Sequence, residues 1–260
     1  MASNRNCHFL FVMSLAVGLW LGAAAGARAE GEADFLAGRT KACPHCVLPN
    51  APLKRKDLAG ADLTGAKLTA AVLHRARLLR ATLAGADLTN ANLNKTDLKG
   101  ATLARAKLDE AMLYEADASG ADFTGAALAG AKMQRSRLIR TKFDGAAMHG
   151  ALLIGARLDE ATLRKADISA VNLIEATLRR ADLEGANLNG SGLIDAVLRE
   201  ANLKGADLSE ADLFGADLTG ANLAGANLSD SRLTRAILTG ANLDGANLKG
   251  ALMPDGSVHD

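Results

Sequence analysis

Aromatic side chains are nearly absent from this chain. Phe, Tyr and Trp make 3% of its 260 residues, and only four prolines and three cysteines occur. A core with so few rings must be filled by aliphatic side chains. That excludes the ordinary mixed globular interior, where Phe, Tyr and Trp carry much of the buried area. A charge excess of either sign is missing too: 30 Lys and Arg stand against 29 Asp and Glu, a formal net of +1. No basic balance points to nucleic acid, and no acidic balance to mimicry of it. Disorder is also excluded, because 49% of the residues are apolar, whereas disordered chains are apolar-poor and strongly charged.

One long apolar run exists, over residues 9–21. Arg5 precedes it without any acid, and Ala27-Arg28-Ala29 follows, directly before Glu30. This is the pattern of a signal peptide over residues 1–29, cleaved after Ala29. An uncleaved anchor is the alternative, for which the strongly apolar stretch Phe9–Leu21 is short. Removing residues 1–29 takes away Arg5 and Arg28 and leaves 28 basic residues against 29 acidic, a net of −1. It also takes Cys7 and Trp20, leaving Cys43 and Cys46 as the cysteines of an exported chain.

What the chain has instead is a period of five. From Leu58 to Met253 every fifth residue is apolar, 40 positions without an insertion, and 33 of them are Leu. From residue 61 to residue 251 the residue two before each centre is Ala or another small side chain, the residue between is often Asp or Asn, and the fifth is often Gly. A helix would rotate each five-residue step by about 140° and scatter the Leu side chains round the cylinder. In an extended segment, residues two apart share a face, so Ala and Leu point inward together and the polar residue between them points out. A repeat of this length suffices for one short side and a bend, where Gly supplies the positive φ of a type II turn.

These residues resemble the pentapeptide repeat family over about residues 46–253. The resemblance implies an all-β fold: a right-handed quadrilateral β-helix, a solenoid with four pentapeptides per coil. Forty repeats then give ten coils, a rod of about 48 Å at ~4.8 Å per coil. Phe123 and Phe143 are the only aromatic centres and lie four repeats apart, so such a coil stacks them. Ala118, the only Ala centre, directly precedes Phe123 and is read as relieving the volume of the ring. The expected organisation is a signal peptide (1–29), an N-terminal cap with the cysteine pair (30–47), the β-helix (48–253) and a tail (254–260). A short helix is expected near residues 33–42, and the C-terminal end is expected to be poorly covered.

Unrolled at four repeats per turn, one outer face carries an apolar stripe of Tyr114, Leu152, Ile154, Ile174, Ile194 and Phe214. Two readings fit: a surface covered by a partner, a second copy or the chain's own N-terminal segment, or Ile tolerated on a flat β surface. At two corners Arg55, Arg75, Lys95, Arg135 and Arg235, and then Arg80, Arg140 and Arg180, are interrupted by Glu115, Glu160, Glu175, Asp195 and Glu200. They are read as a solvated, partly paired face rather than an anion site. The Asn columns 202, 222, 242 and 187, 227, 247 are read as hydrogen-bonded ladders.

Cys43-Pro44-His45-Cys46 is the one local motif that invites chemistry. A redox pair needs a helix N-terminus, and zinc needs further ligands. Cys46 instead falls in the Ala slot of the repeat, so a disulfide in the end coil is the expectation, with redox or metal work the alternative. No catalytic constellation, cofactor or metal site is legible, and the chain is not expected to be an enzyme. The function expected is an exported, periplasmic or secreted scaffold that binds a protein or envelope component. The family resemblance adds a homodimer through the C-terminal coil. It also adds a topoisomerase-protecting DNA mimic, which the charge balance and the leader oppose; nucleic acid is not an expected partner.

Overall fold

The computed structural model describes residues 31–260, so the signal-peptide expectation for residues 1–29 lies outside the described residues. From residue 42 to residue 252 the residue before each centre forms a parallel β-bridge with its counterpart four repeats on, from Ala42–Asp62 to Arg232–Leu252. Four repeats therefore make one coil with four corners, as the family resemblance implies. Each side carries one bridged residue and no longer strand among the described residues; the two residues of the next corner interrupt pairing on both flanks.

Backbone hydrogen bonds explain what each slot requires. In the repeat around Leu63, the Leu63 N–H donates to Thr82 O (2.7 Å), Gly65 N–H to Ala84 O (2.9 Å) and Asp62 N–H back to Lys41 O (3.0 Å). Ala66 N–H closes the corner onto Leu63 O (3.0 Å). The residue after the centre is left with no backbone acceptor. Where the repeat has Asp or Asn two residues earlier, its N–H donates to that side chain, as Thr64 does to Asp62 Oδ1 (3.0 Å) and Ile174 to Asn172 Oδ1 (3.1 Å). The recurring Asp and Asn of the sequence are thus Asx acceptors for the corners that carry them.

Every fifth residue from His45 to Gly250 has positive φ, 42 corners in all, and 23 of them are not glycine. The first central residue of each turn has no positive φ, which makes the turns type II. Prolines obey the same pattern. Pro44, Pro49 and Pro254 occupy that first turn position, where φ suits proline and no ladder bond is lost. Pro52 stands in the first coil at the slot whose N–H elsewhere points to the coil below.

The interior is a continuous Leu and Ala column. No centre from Leu63 to Leu233 is more than 2% exposed, and each buried Leu contributes about 1.5–3 kcal/mol. Phe123 and Phe143 stack inside it with centroids 5.1 Å apart and an interplanar angle of 19°. Where Ser or Thr replaces Ala, its hydroxyl donates to a nearby carbonyl: Thr96 to Leu73 O, Thr141 to Ala118 O, Ser191 to Ile168 O.

The ends depart from the repeat. Helix α1 spans residues 31–36 rather than 33–42. Gly38, with φ of 75°, ends it: Gly38 N–H reaches Phe35 O and Arg39 N–H reaches Asp34 O, a Schellman closure. Phe35 of α1 is 2% exposed and joins the same apolar cluster as Leu48 and Leu53. Glu32 Oε1 accepts the first-coil N–H of Val47 (2.7 Å). At the other end, the tail folds back as an antiparallel return, with a Leu252–Val258 bridge and His259 N–H donating to Ala251 O (2.9 Å). One side of the last coil is therefore covered. On the other three sides Leu238, Leu243 and Leu248 stay partly exposed.

Candidate interaction faces

The stripe residues lie on one face, and all six are half-buried rather than open. Ile154, Ile174, Ile194 and Phe214 follow one another coil by coil, because Gly155, Glu175 and Asp195 N–H groups donate to Ile174, Ile194 and Phe214 O (2.9–3.0 Å). Each corner thus carries the next rung, and stacking shields the flanks of each side chain. Leu152 lies on the same face, bridging Lys132 and Asn172. The two ends of the stripe are polar-dressed. Arg232 and Arg235 guanidinium carbons sit 4.9 and 5.5 Å from the Phe214 ring centroid. The Tyr114 hydroxyl accepts from Arg135 (3.5 Å) and hydrogen-bonds Glu115. Gln134 separates Tyr114 from the Ile rungs.

The second charged corner is paired along the stack at Arg140 and Arg180, and the first at Lys95. Arg140 Nε meets Glu160 at 2.7 Å, Arg180 meets Glu200 at 2.7 Å, and Lys95 meets Glu115 at 3.1 Å. The hydrogen bond and charge of Arg140 hold the Glu160 carboxyl below its ordinary value, and Arg180 does the same for Glu200. A shallow groove on this side is lined by Asp159, Glu160, Arg179, Arg180, Arg199 and Glu200. Its walls satisfy one another, with Arg179 near Asp159 and Arg199 on Asp217. No anion stripe remains there. The Asn ladders form in part: Asn222 and Asn247 amides donate to Asn202 and Asn227, while Asn202 and Asn187 reach Asp182 and Asp167 instead.

Cys43 and Cys46 lie at disulfide distance with Cα atoms 5.4 Å apart. They are the first and last residues of a corner, with Cys46 N–H on Cys43 O (3.3 Å) and His45 at positive φ. Cys43 takes a Leu slot, Cys46 an Ala slot, and both are buried. Neither stands at a helix N-terminus, the setting that activates a thiol. Among the described residues no group of His, Cys, Asp and Glu could hold a metal.

One cluster has the residue types of a hydrolase triad. His149 Nδ1 is 2.9 Å from Ser169 Oγ, and Ser169 Oγ donates to Asp167 Oδ1 at 2.6 Å. The order is wrong for nucleophilic catalysis, which places His between Ser and the carboxylate. Here the serine proton is already committed to Asp167. The same Ser-to-Asp contact recurs at Ser119–Asp117 and Ser209–Asp207, so it belongs to the corner.

Four acceptors escaped the reading by repeat position. Asn94, Asp109, Asp144 and Asp159 stand just after a centre, and each accepts the N–H of the residue one coil on: Tyr114, Ala129, Arg164 and Arg179 (2.8–3.1 Å). In those coils the usual Asx slot holds Met112, Ala127, Thr162 and Thr177. The signal was a missing Asp or Asn, with a replacement just after the centre of the coil before.

The family described as pentapeptide repeats matches in eight copies, over residues 57–94, 86–125, 121–158, 142–180, 151–190, 178–213, 193–230 and 211–250. No curated protein sequence matches. Among solved structures, HetL of the cyanobacterium Nostoc sp. strain PCC 7120 is a pentapeptide repeat protein involved in heterocyst differentiation regulation. It is 38% identical, with 87% of this chain and 96% of HetL covered and a TM-score of 0.69. QnrB1, a plasmid-mediated fluoroquinolone resistance protein, is 18% identical over 58% of this chain and 90% of its own, with a TM-score of 0.30. A pentapeptide repeat protein of the Arabidopsis thaliana thylakoid lumen is 35% identical over 41% of this chain and 68% of its own, with a TM-score of 0.21. With the repeat matched from residue 57 to residue 250 and HetL aligned over nearly its whole length, the chain belongs to the pentapeptide repeat family, whose members fold as right-handed quadrilateral β-helices.

Proposed function

We propose that this chain is a non-enzymatic, exported scaffold of about ten coils, capped by α1, whose half-buried stripe docks a protein partner. The observation that carries the reading is the unbroken succession Ile154, Ile174, Ile194, Phe214 on four neighbouring coils. A contiguous apolar surface on an otherwise polar rod is where a partner gains most from excluding water. Catalysis finds little support, because Leu and Ala fill the interior and the His149 cluster has the wrong order. Export into an oxidising compartment suits an oxidised Cys43–Cys46 pair that staples the first coil. A DNA mimic needs an uncompensated acidic rod, whereas the acids here accept backbone N–H groups and pair with Arg and Lys.

A homodimer through the C-terminal coil is a second reading with its own observation. The N–H groups of Leu238, Leu243 and Leu248 find no acceptor among the described residues, and these same side chains are partly exposed. Such an edge is a template for pairing.

The stripe is tested by Ile174→Asp with Ile194→Asp. Both residues are half-exposed, so folding by circular dichroism should persist. Capture of the envelope partner by the processed protein should fall about tenfold or more, as loss of a central apolar contact does. Capture equal to that of the parent protein would reject the stripe as the docking surface.

A further inference from the structure

The near-zero net charge conceals a strong separation along the rod. Residues 41–80, the first two coils, hold eight Lys and Arg against Asp57 and Asp62, whereas residues 181–220 hold eight acids against Arg199 and Lys204. Three of these eight, Lys54, Arg55 and Arg75, share one corner. Arg55 N–H donates to His74 O (3.0 Å) and Arg75 N–H to Asn94 O (2.9 Å), so Lys54, Arg55, His74, Arg75 and Lys95 rise on successive coils. Lys54, Arg55 and Arg75 have no ion pair among the described residues, in contrast to the paired corner at Arg140 and Arg180. Modest desolvation and the cations Arg75, Lys54, Lys95 and Arg55 push the His74 imidazole below its ordinary pKa.

Exposed apolar side chains gather at the same end. Large hydrophobics are openly exposed only at the two ends of the described rod, and Leu36 (36%), Val47 (40%) and Val72 (37%) belong to the basic one. Val72 stands on the face that leads into the Lys54–Arg75 corner, paired with Pro52 of the coil below. Apolar side chains rimmed by unpaired cations suit a bilayer interface, where burial in the acyl boundary adds to attraction by anionic headgroups.

We infer that the N-terminal coils dock the rod, end-on or obliquely, on a bilayer surface bearing anionic headgroups, through Lys54, Arg55 and Arg75 beside Val72. This surface lies several coils from the Ile stripe, and either assignment can fail without the other.

Vesicle co-sedimentation of the processed protein tests it. Vesicles of phosphatidylcholine are compared with vesicles in which about a third of the lipid is phosphatidylglycerol, at low salt and at about 0.5 M. The anionic vesicles should bind strongly at low salt, the neutral ones weakly, and salt should release the protein. Lys54→Glu with Arg55→Glu and Arg75→Glu should weaken binding on the order of a hundredfold or more, from roughly fivefold per cation lost near such a surface. Folding should survive, because Glu115 and Glu175 already occupy the same corner column at positive φ. Val72→Asn is the complementary variant. It installs an Asx acceptor in a slot where the repeat favours one, so binding should fall severalfold while the melting temperature holds or rises. Equal binding to neutral and anionic vesicles overturns the inference, as does unchanged binding of the triple variant. Salt-sensitive self-association without vesicle binding also overturns it, and would assign the charge separation to contact between copies of the chain.

Discussion

Asp and Asn before the centre accept the one corner N–H that the backbone leaves unbonded. The acceptor atom is a side-chain Oδ1, so Asp and Asn serve equally at neutral pH, but only Asp titrates. Burial alone would raise the carboxyls of Asp87, Asp207 and Asp217; hydrogen bonds from Thr89, Ser209 and Thr219 outweigh it and hold them low. The hydroxyls of Thr64 and Ser169 are the main cause of the same lowering at Asp62 and Asp167. As pH falls, the unfolded chain binds protons first, near its ordinary carboxylate value of about 3.9, so stability is full above that value and is lost as pH drops through the lower folded values. The melting temperature should hold from neutrality to about pH 5 and fall below about pH 4. Asp87→Asn with Asp207→Asn keeps both acceptors and removes two of the titrations, so its acid arm should be shallower. An acid arm as steep as the parent's would count against this account. Left-handed corners are the other residue-scale demand. At Arg105 or Glu200 the conformation costs about 1 kcal/mol relative to glycine; the stack imposes it, because the N–H of each corner residue is needed by the next coil.

At the scale of the coil, volume decides. Four centres share each coil, and the interior is too narrow for more than one ring. Phe123 shares its coil with Ala118, and Phe143 with Met133 and Met148, whose unbranched side chains fill irregular gaps. Ala118 is fully buried. Ala118→Leu adds volume beside a stacked pair that cannot yield, and should destabilise by about 1–3 kcal/mol, read as an earlier urea midpoint with unchanged slope. An unaltered midpoint would mean that the coil has spare room. The arrangement was legible in the chain itself, because the two Phe centres stand one full coil of four repeats apart. Compensation between coils was not: that Asp144 serves Arg164, or that Arg140 meets Glu160, depends on which side chains stack, and several rotamers satisfy one sequence.

For the whole molecule, the two ends differ in kind. At the N-terminus Phe35, Glu32 and Pro52 meet the needs of the first coil, covering apolar surface, accepting an N–H and removing one. At the C-terminus the tail pairs with one side only, and three sides remain open. If that edge joins two copies, the purified protein should sediment as two chains, and Leu243→Lys, at a partly exposed centre, should give one. A parent protein that sediments as a single chain would reject the dimer.

The sequence by itself determined the interior and the corners. Its period of five, set against a backbone whose side chains alternate in and out, leaves one inward pair and one bend per repeat. It also placed Cys46 in an Ala slot and the Ile rungs on one face. Only the tertiary structure decided how the ends are finished, which charges cancel and which stay free, and that the tail turns back on the last coil. The physical reason is that repeat-internal bonds are local and recur at every step, whereas contacts between coils join residues four repeats apart and contacts at the ends have no neighbouring repeat to copy.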